Sequence, residues 1–317
     1  MFLTKWIATF LTCVIGLSAT IVLALLSLIL GTPTSLLFRM FDWSPRYNPF
    51  EWVARGWNSF IIMLYRVVMY MKLEHHSAVP RSAVGKYVLY LPNHGSTLEM
   101  MIWGWYATKY LNTRMTIVID SRNDANPIGW ALRGIGGLFI NRKDPEEAKR
   151  TIARELGKIL AQYSGPRNIV VCPDMGRPKL ASIQRDKQRF PWAVDWIGPV
   201  CFPRAGGFER ALAALQEACV EFRVVTSTVA IGAGENIGLG GLHKLFGSTV
   251  HVAAYDVTDE MPSTPEERRL WLEALWQRKA TAINCWRHHE GSMRRSPLEI
   301  LALDICGALI ALIPFFL

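Results

Sequence analysis

Tyr87-Val88-Leu89-Tyr90-Leu91-Pro92-Asn93-His94-Gly95-Ser96-Thr97-Leu98-Glu99 decides the fold, because it passes from a buried-strand pattern through a turn into a helix start. Tyr87 to Leu91 is a short apolar run rich in aromatic and branched side chains, as a strand requires. Met100 to Tyr110 continues as the helix. Between them stands His94, whose imidazole can take a proton from an alcohol near neutral pH when a carboxylate holds its other ring nitrogen. Glu99 is the candidate carboxylate. Five residues along one unbroken helix turn the chain by about 500°, leaving the side chains roughly 140° apart, so they cannot meet there. They can converge if His94 lies in the turn and Ser96 or Thr97 caps a helix whose first turn carries Glu99. Standing alone, the pattern would be a turn histidine followed by an ordinary first-turn glutamate. The rest of the chain has to decide between the two.

Working outward, the region from about Pro80 to Arg287 alternates short β-branched runs with helical stretches. The strand pattern recurs at Lys86 to Leu91, Met115 to Ile119, Leu138 to Asn141, Asn168 to Cys172, Val224 to Ile231 and Thr249 to Val257. The helical pattern covers Thr97 to Tyr110, Pro145 to Tyr163, Gly207 to Cys219 and Pro265 to Trp286. Such alternation predicts an α/β fold of layered αβα type with sites at the strand ends. The glycine-rich stretch Gly232 to Gly241 lacks the order of a phosphate or dinucleotide loop and reads as a surface turn. With no G-x-S-x-G, a serine hydrolase would lack its nucleophile elbow.

Half of the 317 residues are hydrophobic, more than a soluble core of this size needs. The excess sits at the ends. Ile7 to Leu30 has no ionisable side chain except Cys13, and about 20 apolar residues suffice to cross a bilayer core. Its length, and the following Gly31-Thr32-Pro33-Thr34, favour a retained anchor over a cleaved signal peptide. Trp52 to Met71 carries Arg66 and reads as one or two amphipathic helices at the headgroup level, or else as a packed surface helix of the main domain. Leu298 to Leu317 reads as a membrane-associated helix, spanning or re-entrant. The expected organisation is an anchor over 1–40, interfacial helices over 41–79, a catalytic domain over 80–290 and a C-terminal helix over 291–317. Arg39, Arg46 and Arg55 after the anchor outweigh Lys5 before it, which puts the domain on the cytoplasmic side.

The net charge of +9 fits a protein that works against anionic lipid and phosphorylated or CoA-linked substrates. Nucleic acid is not an expected partner, since no basic run exceeds Arg294-Arg295 and no nucleic-acid module is present. The six cysteines have no C-x2-C spacing, and His75-His76 and His288-His289 lack an H-E-x-x-H context. A reduced domain without a metal or a bound cofactor is the expectation.

Four blocks in order then give the His94 pattern its meaning. Asn93-His94-Gly95-Ser96-Thr97-Leu98-Glu99 is similar to N-H-x4-D, with Glu for Asp. Pro127-Ile128-Gly129-Trp130 leading to Gly137-Leu138-Phe139-Ile140-Asn141-Arg142 is similar to P-x-x-G-W followed by G-x-x-F-I-D-R. Val171-Cys172-Pro173-Asp174-Met175-Gly176-Arg177 stands where F-P-E-G-T-R is expected, and Pro199-Val200-Cys201-Phe202-Pro203-Arg204-Ala205-Gly206-Gly207-Phe208 looks like P-R-x-x-G-F. These motifs belong to the glycerolipid acyltransferase family, the 1-acylglycerol-3-phosphate and lysophospholipid acyltransferases. The chain resembles that family over roughly Pro80 to His288, and its fourth block resembles the lysocardiolipin and plant-type branch.

The resemblance implies a catalytic pair of His94 and Glu99. It implies substrate contacts at Asn93, Arg142, Asp174, Met175, Gly176 and Arg177, with Pro203 and Arg204 shaping the cleft. An oxyanion site is implied at the Met175-Gly176 turn. The implied reaction moves a fatty acyl group from acyl-CoA or acyl carrier protein, as co-substrate, to a lysophospholipid hydroxyl, 1-acylglycerol-3-phosphate being the first candidate. Lysocardiolipin, lysophosphatidylglycerol and aminolipid acceptors are alternatives, as is a catalytically inactive lipid-binding homologue. Met175 in place of glycine and Gly176 in place of threonine imply either a turn shifted by one residue or a changed acceptor site.

Overall fold

The strand, turn and helix read from Tyr87 onward form the centre of the computed structural model, which describes residues 49–95, 97–112, 114–123, 136–162, 165–174, 180–189, 198–232 and 246–290 and a few isolated positions. Among the described residues one sheet is built from β1 (Lys72–His75), β2 (Tyr87–Pro92), β3 (Met115–Asp120), β4 (Leu138–Ile140), β5 (Asn168–Val170), β6 (Phe222–Ile231) and β7 (Thr249–Asp256). Their spatial order is β1-β7-β6-β2-β5-β3-β4. All pairs are parallel except β6 with β7. A parallel-rich sheet of this kind needs cover on both faces.

The sequence supplies that cover through a period of two. In β2, Val88 and Tyr90 enter one core while Leu89 and Leu91 enter the other, because successive side chains point to opposite faces. The first core receives α1 (Pro49–Val68) and α2 (Thr97–Tyr110), through Ile61, Ile62, Tyr65, Ile102 and Trp103. The second receives α3 (Pro145–Gln162), α5 (Ala205–Glu217) and α6 (Pro265–Glu290), through Leu156, Phe208, Leu212 and Trp276. Burying one such large apolar side chain contributes about 1.5–3 kcal/mol. A further helix, α4 (Leu180–Arg189), lies between β5 and α5 in the chain.

Helix starts follow the side-chain chemistry at their ends. Asp144 Oδ1 accepts the backbone N–H groups of Glu146 at 3.1 Å and Glu147 at 2.9 Å, capping α3. Thr264 caps α6 by accepting the Glu267 N–H at 3.3 Å while its hydroxyl donates to Glu267 Oε2 at 2.7 Å. Each device contributes about 1 kcal/mol.

Two elements differ from expectation. The segment around Trp52 to Met71 is one continuous helix, and its inner residues Ile61, Ile62 and Tyr65 belong to the main core. The packed-helix alternative therefore describes that face, while Met63 and Val67 remain exposed. The sheet also begins before Pro80, since Lys72 to His75 pairs with β7. Four residues with two charged side chains carry too little apolar signal to read as a strand. No helix among the described residues is long and apolar enough to cross a membrane. The expected anchor and C-terminal helix lie outside the described residues, apart from Ile7, Phe10, Leu11, Val14, Ile15 and Ser18, which are helical and exposed.

Candidate active site

The chain leaves β2, crosses to β3 and β4 on one side, returns through β5 and then moves to β6 on the other side of β2. A crevice is expected where connections diverge in this way, beyond the carboxyl ends of the strands. His94 follows β2 there, Asp174 follows β5, and Arg142 follows β4. Strand β6 runs past the end of β2, whose last partner pair is Pro92 with Ser227. Its extension meets the His94 turn directly.

Asn93 makes that junction. Its buried amide donates to the Val229 carbonyl at 2.9 Å, and its Oδ1 accepts the Val229 N–H at 2.8 Å. The side chain thus imitates one rung of a β-ladder where the strand itself has ended. Asn93 Nδ2 is also 3.5 Å from Glu99 Oε2. The Glu99 carboxylate, on a residue only 4% exposed, turns back from the first turn of α2 over the His94 loop.

Gly95 explains how it fits. A Cβ built there would lie 2.6 Å from Glu99 Oε1 and closer still to Oε2, so any larger residue displaces the carboxylate. Because the obstructed group is the end of a flexible side chain, Gly95→Ala should leave thermal stability almost unchanged while lowering catalytic turnover. A melting curve together with a turnover assay of that variant checks both halves. Gly137 of the second block is confined by backbone instead, since a Cβ there would meet the Leu132 carbonyl oxygen at 2.7 Å.

The third and fourth blocks close around the same turn. Asp174 Oδ2 accepts the backbone N–H of His94 at 2.7 Å, and the Arg204 N–H donates to the Pro173 carbonyl at 2.9 Å. The Arg204 guanidinium reaches Asp186 of α4 at 3.2 Å, while Pro203 is buried beside it. Arg142 stands 3.7 Å from Asp120 Oδ2 and is close enough to make its charge felt at Cys172. Asp120 is shared with Arg122, whose Nε and Nη2 reach its two oxygens at 3.0 and 2.7 Å. That bidentate contact holds the Asp120 carboxyl below its ordinary value, with Arg142 adding to the effect. The described parts of the four blocks therefore lie toward the carboxyl ends of β2, β4 and β5, with the third joined to the His94 turn and the fourth joined to the third. Met175, Gly176 and Arg177 lie outside the described residues.

Beneath this assembly lies a residue that the motifs do not name. Lys279 of α6 is 2% exposed and donates to the Leu91 carbonyl at 2.6 Å and the Ser227 carbonyl at 2.8 Å. Its ammonium sits 4.0 Å from the Trp276 ring centroid, within cation–π range. Burial pushes the Lys279 pKa down to about 7 and pushes the Asp174 carboxyl up to about 7, against the opposing pull of the His94 amide and the lysine charge. A signal for Lys279 existed in the sequence. It falls on the apolar stripe Leu272, Leu275, Trp276, Ile283 of α6, where a charged group has no reason to be unless something buried needs it.

No protein-family model matches the chain, and no curated protein matches it significantly. Among solved structures it is similar to the crystal structure of the 1-acyl-sn-glycerophosphate (LPA) acyltransferase PlsC from Thermotoga maritima. That match has 14% identity and a TM-score of 0.44, covering 85% of this chain and 97% of the other. At that level of likeness it carries no argument about this protein's chemistry.

Proposed function

We propose that this protein is an O-acyltransferase of glycerolipid type, which moves a fatty acyl group from a thioester donor, acyl-CoA or acyl carrier protein, to a lysophospholipid hydroxyl. The observation that carries the reading is the buried Glu99 carboxylate folded back over the turn that holds His94, beyond the carboxyl end of β2 and inside four motif blocks that occur in the family's order.

In this mechanism His94 takes the proton of the acceptor hydroxyl as the oxygen attacks the thioester carbon. Glu99 orients the imidazole and offsets the charge that forms on it. The tetrahedral intermediate collapses with breakage of the carbon–sulfur bond, the electron pair leaves on sulfur, and His94 returns the proton to the thiolate. No acyl-enzyme forms. Asn93 and Asp174 act on the loop rather than on substrate: Asn93 fixes it to β6, and Asp174 holds the His94 backbone. Arg142 and Arg177 supply guanidinium groups for an acceptor phosphate, and Pro203 and Arg204 shape the cleft. The Met175-Gly176 turn offers backbone donors to the oxyanion. The domain works at a membrane surface, anchored by residues 7–30, on the cytoplasmic side. 1-Acylglycerol-3-phosphate is the first acceptor to test.

The full chain, purified in detergent and incubated with radiolabelled acyl-CoA and a panel of lysophospholipids, should give a labelled diacyl product and one free thiol per product. Absence of transfer to every acceptor, with either CoA or carrier-protein donors, would refute the proposal in favour of a lipid-binding role.

A further inference from the structure

On the opposite flank of the sheet, β1 and β7 bring together three side chains that catalysis as described does not use. Glu74 pairs in register with His251, and His76 follows two residues after Glu74, which puts both on one face of the extended chain. His76 Nε2 is 2.8 Å from His251 Nδ1, and His251 Nδ1 is 3.5 Å from Glu74 Oε2. The donor atoms of the three residues all lie within 4.8 Å of one another. His75 between them points the other way, against Tyr106 and Tyr110 of α2. Adjacent in the chain, His75 and His76 therefore have separate surroundings.

We infer that Glu74, His76 and His251 form a binding site for one divalent transition-metal ion of the zinc class, with a fourth position open to solvent. Two imidazoles and a carboxylate are a donor set that zinc accepts, and tetrahedral bonds of about 2.0–2.1 Å require donors about 3.3 Å apart. The two separations from His251 Nδ1, 2.8 and 3.5 Å, bracket that spacing, and all three donors lie within 4.8 Å of one another.

Two features prepare the site. Trp286 of α6 stacks on His76 at 4.6 Å and 17° and on His251 at 5.6 Å and 22°, restraining both rings. The second feature is a carboxylate already paired with a cation, since the Lys72 ammonium contacts Glu74 Oε1. Lys72 is the competitor that an incoming cation displaces from Glu74. A bound ion would tie the edge strand β1 to β7. The site is distinct from the His94 crevice, because β6 separates β7 from β2, and strands are spaced about 4.8 Å apart.

The test uses the full chain freed of any affinity tag, stripped with chelator and titrated with Co²⁺. The wild type should bind one equivalent, develop the intense visible bands of four-coordinate Co²⁺ and lose them when Zn²⁺ is added. His76→Ala, at an exposed position where folding is not at risk, should weaken binding more than 100-fold, beyond the roughly 10–100-fold typical of outer-sphere changes. Glu74→Gln should weaken it as well, whereas His75→Ala should bind as the wild type does. Absence of one-equivalent binding in the wild type, or equal affinity in the His75→Ala and His76→Ala proteins, would overturn the assignment.

Discussion

His94→Ala is expected to lower kcat for acyl transfer by roughly 10²–10⁴-fold, the usual contribution of a positioned general base, with little change in KM. The split follows from the role: the imidazole acts on the proton as the transition state forms and contributes little to ground-state binding. Glu99→Gln should give a smaller loss in the same parameter. The amide keeps the shape and one acceptor oxygen but cannot offset an imidazolium. Steady-state kinetics with a fixed acyl-CoA and a varied lysolipid acceptor checks both variants. Turnover that persists in His94→Ala would mean that another group removes the proton.

The second large effect falls on stability. Lys279→Met should destabilise the fold by about 3 kcal/mol, because removing one member of a buried charged pair strands its partner. For a domain of this size that lowers Tm by roughly 6–12 °C. Two carbonyls, Leu91 and Ser227, lose their buried donor, and the 4% exposed Asp174 loses its cation. Lys279→Met combined with Asp174→Asn should recover the part due to the stranded charge, since asparagine still offers an oxygen to the His94 amide. The deficit should also grow with pH. The Asp174 carboxyl is raised in the folded state from 3.8 to about 7, and losing the lysine raises it further. A group raised on folding gives stability that is complete below its unfolded value and is lost as pH rises toward the folded one. Chemical denaturation of both variants at acid and neutral pH measures this. A deficit that does not change with pH would place the damage in the carbonyl contacts alone.

That pair also explains how the fold supports the proposed chemistry. Lys279 binds the end of β2 and the middle of β6, Asp174 binds the backbone of His94, and Asn93 locks the same loop to Val229. The turn is held from three sides while the Glu99 carboxylate occupies the space that Gly95 leaves open. Rigid support of this kind keeps an imidazole at one orientation through the reaction.

Much of this was readable in the chain itself. The strands from Tyr87, Met115, Leu138, Asn168, Val224 and Thr249 and the helices from Thr97, Pro145 and Pro265 follow from local periodicity, because a buried face imposes period 2 or 3.6 on the sequence. The helix over Ala205–Glu217 was placed two residues late, its glycine pair Gly206-Gly207 hiding the start. Strand β1 and the polar helix α4 were not legible, since an edge strand and a solvated helix need no continuous apolar stripe.

What the sequence by itself determined is the αβα alternation, the strand–turn–helix around His94 and the identity of the blocks that flank it, all of them encoded within a few residues. Only the tertiary structure decided that Asp174 grips the His94 amide, that Lys279 lies beneath both, and that His76 meets His251 across 175 positions. These contacts arise from strand order and crossover, which bring distant residues together and leave no local periodicity to read.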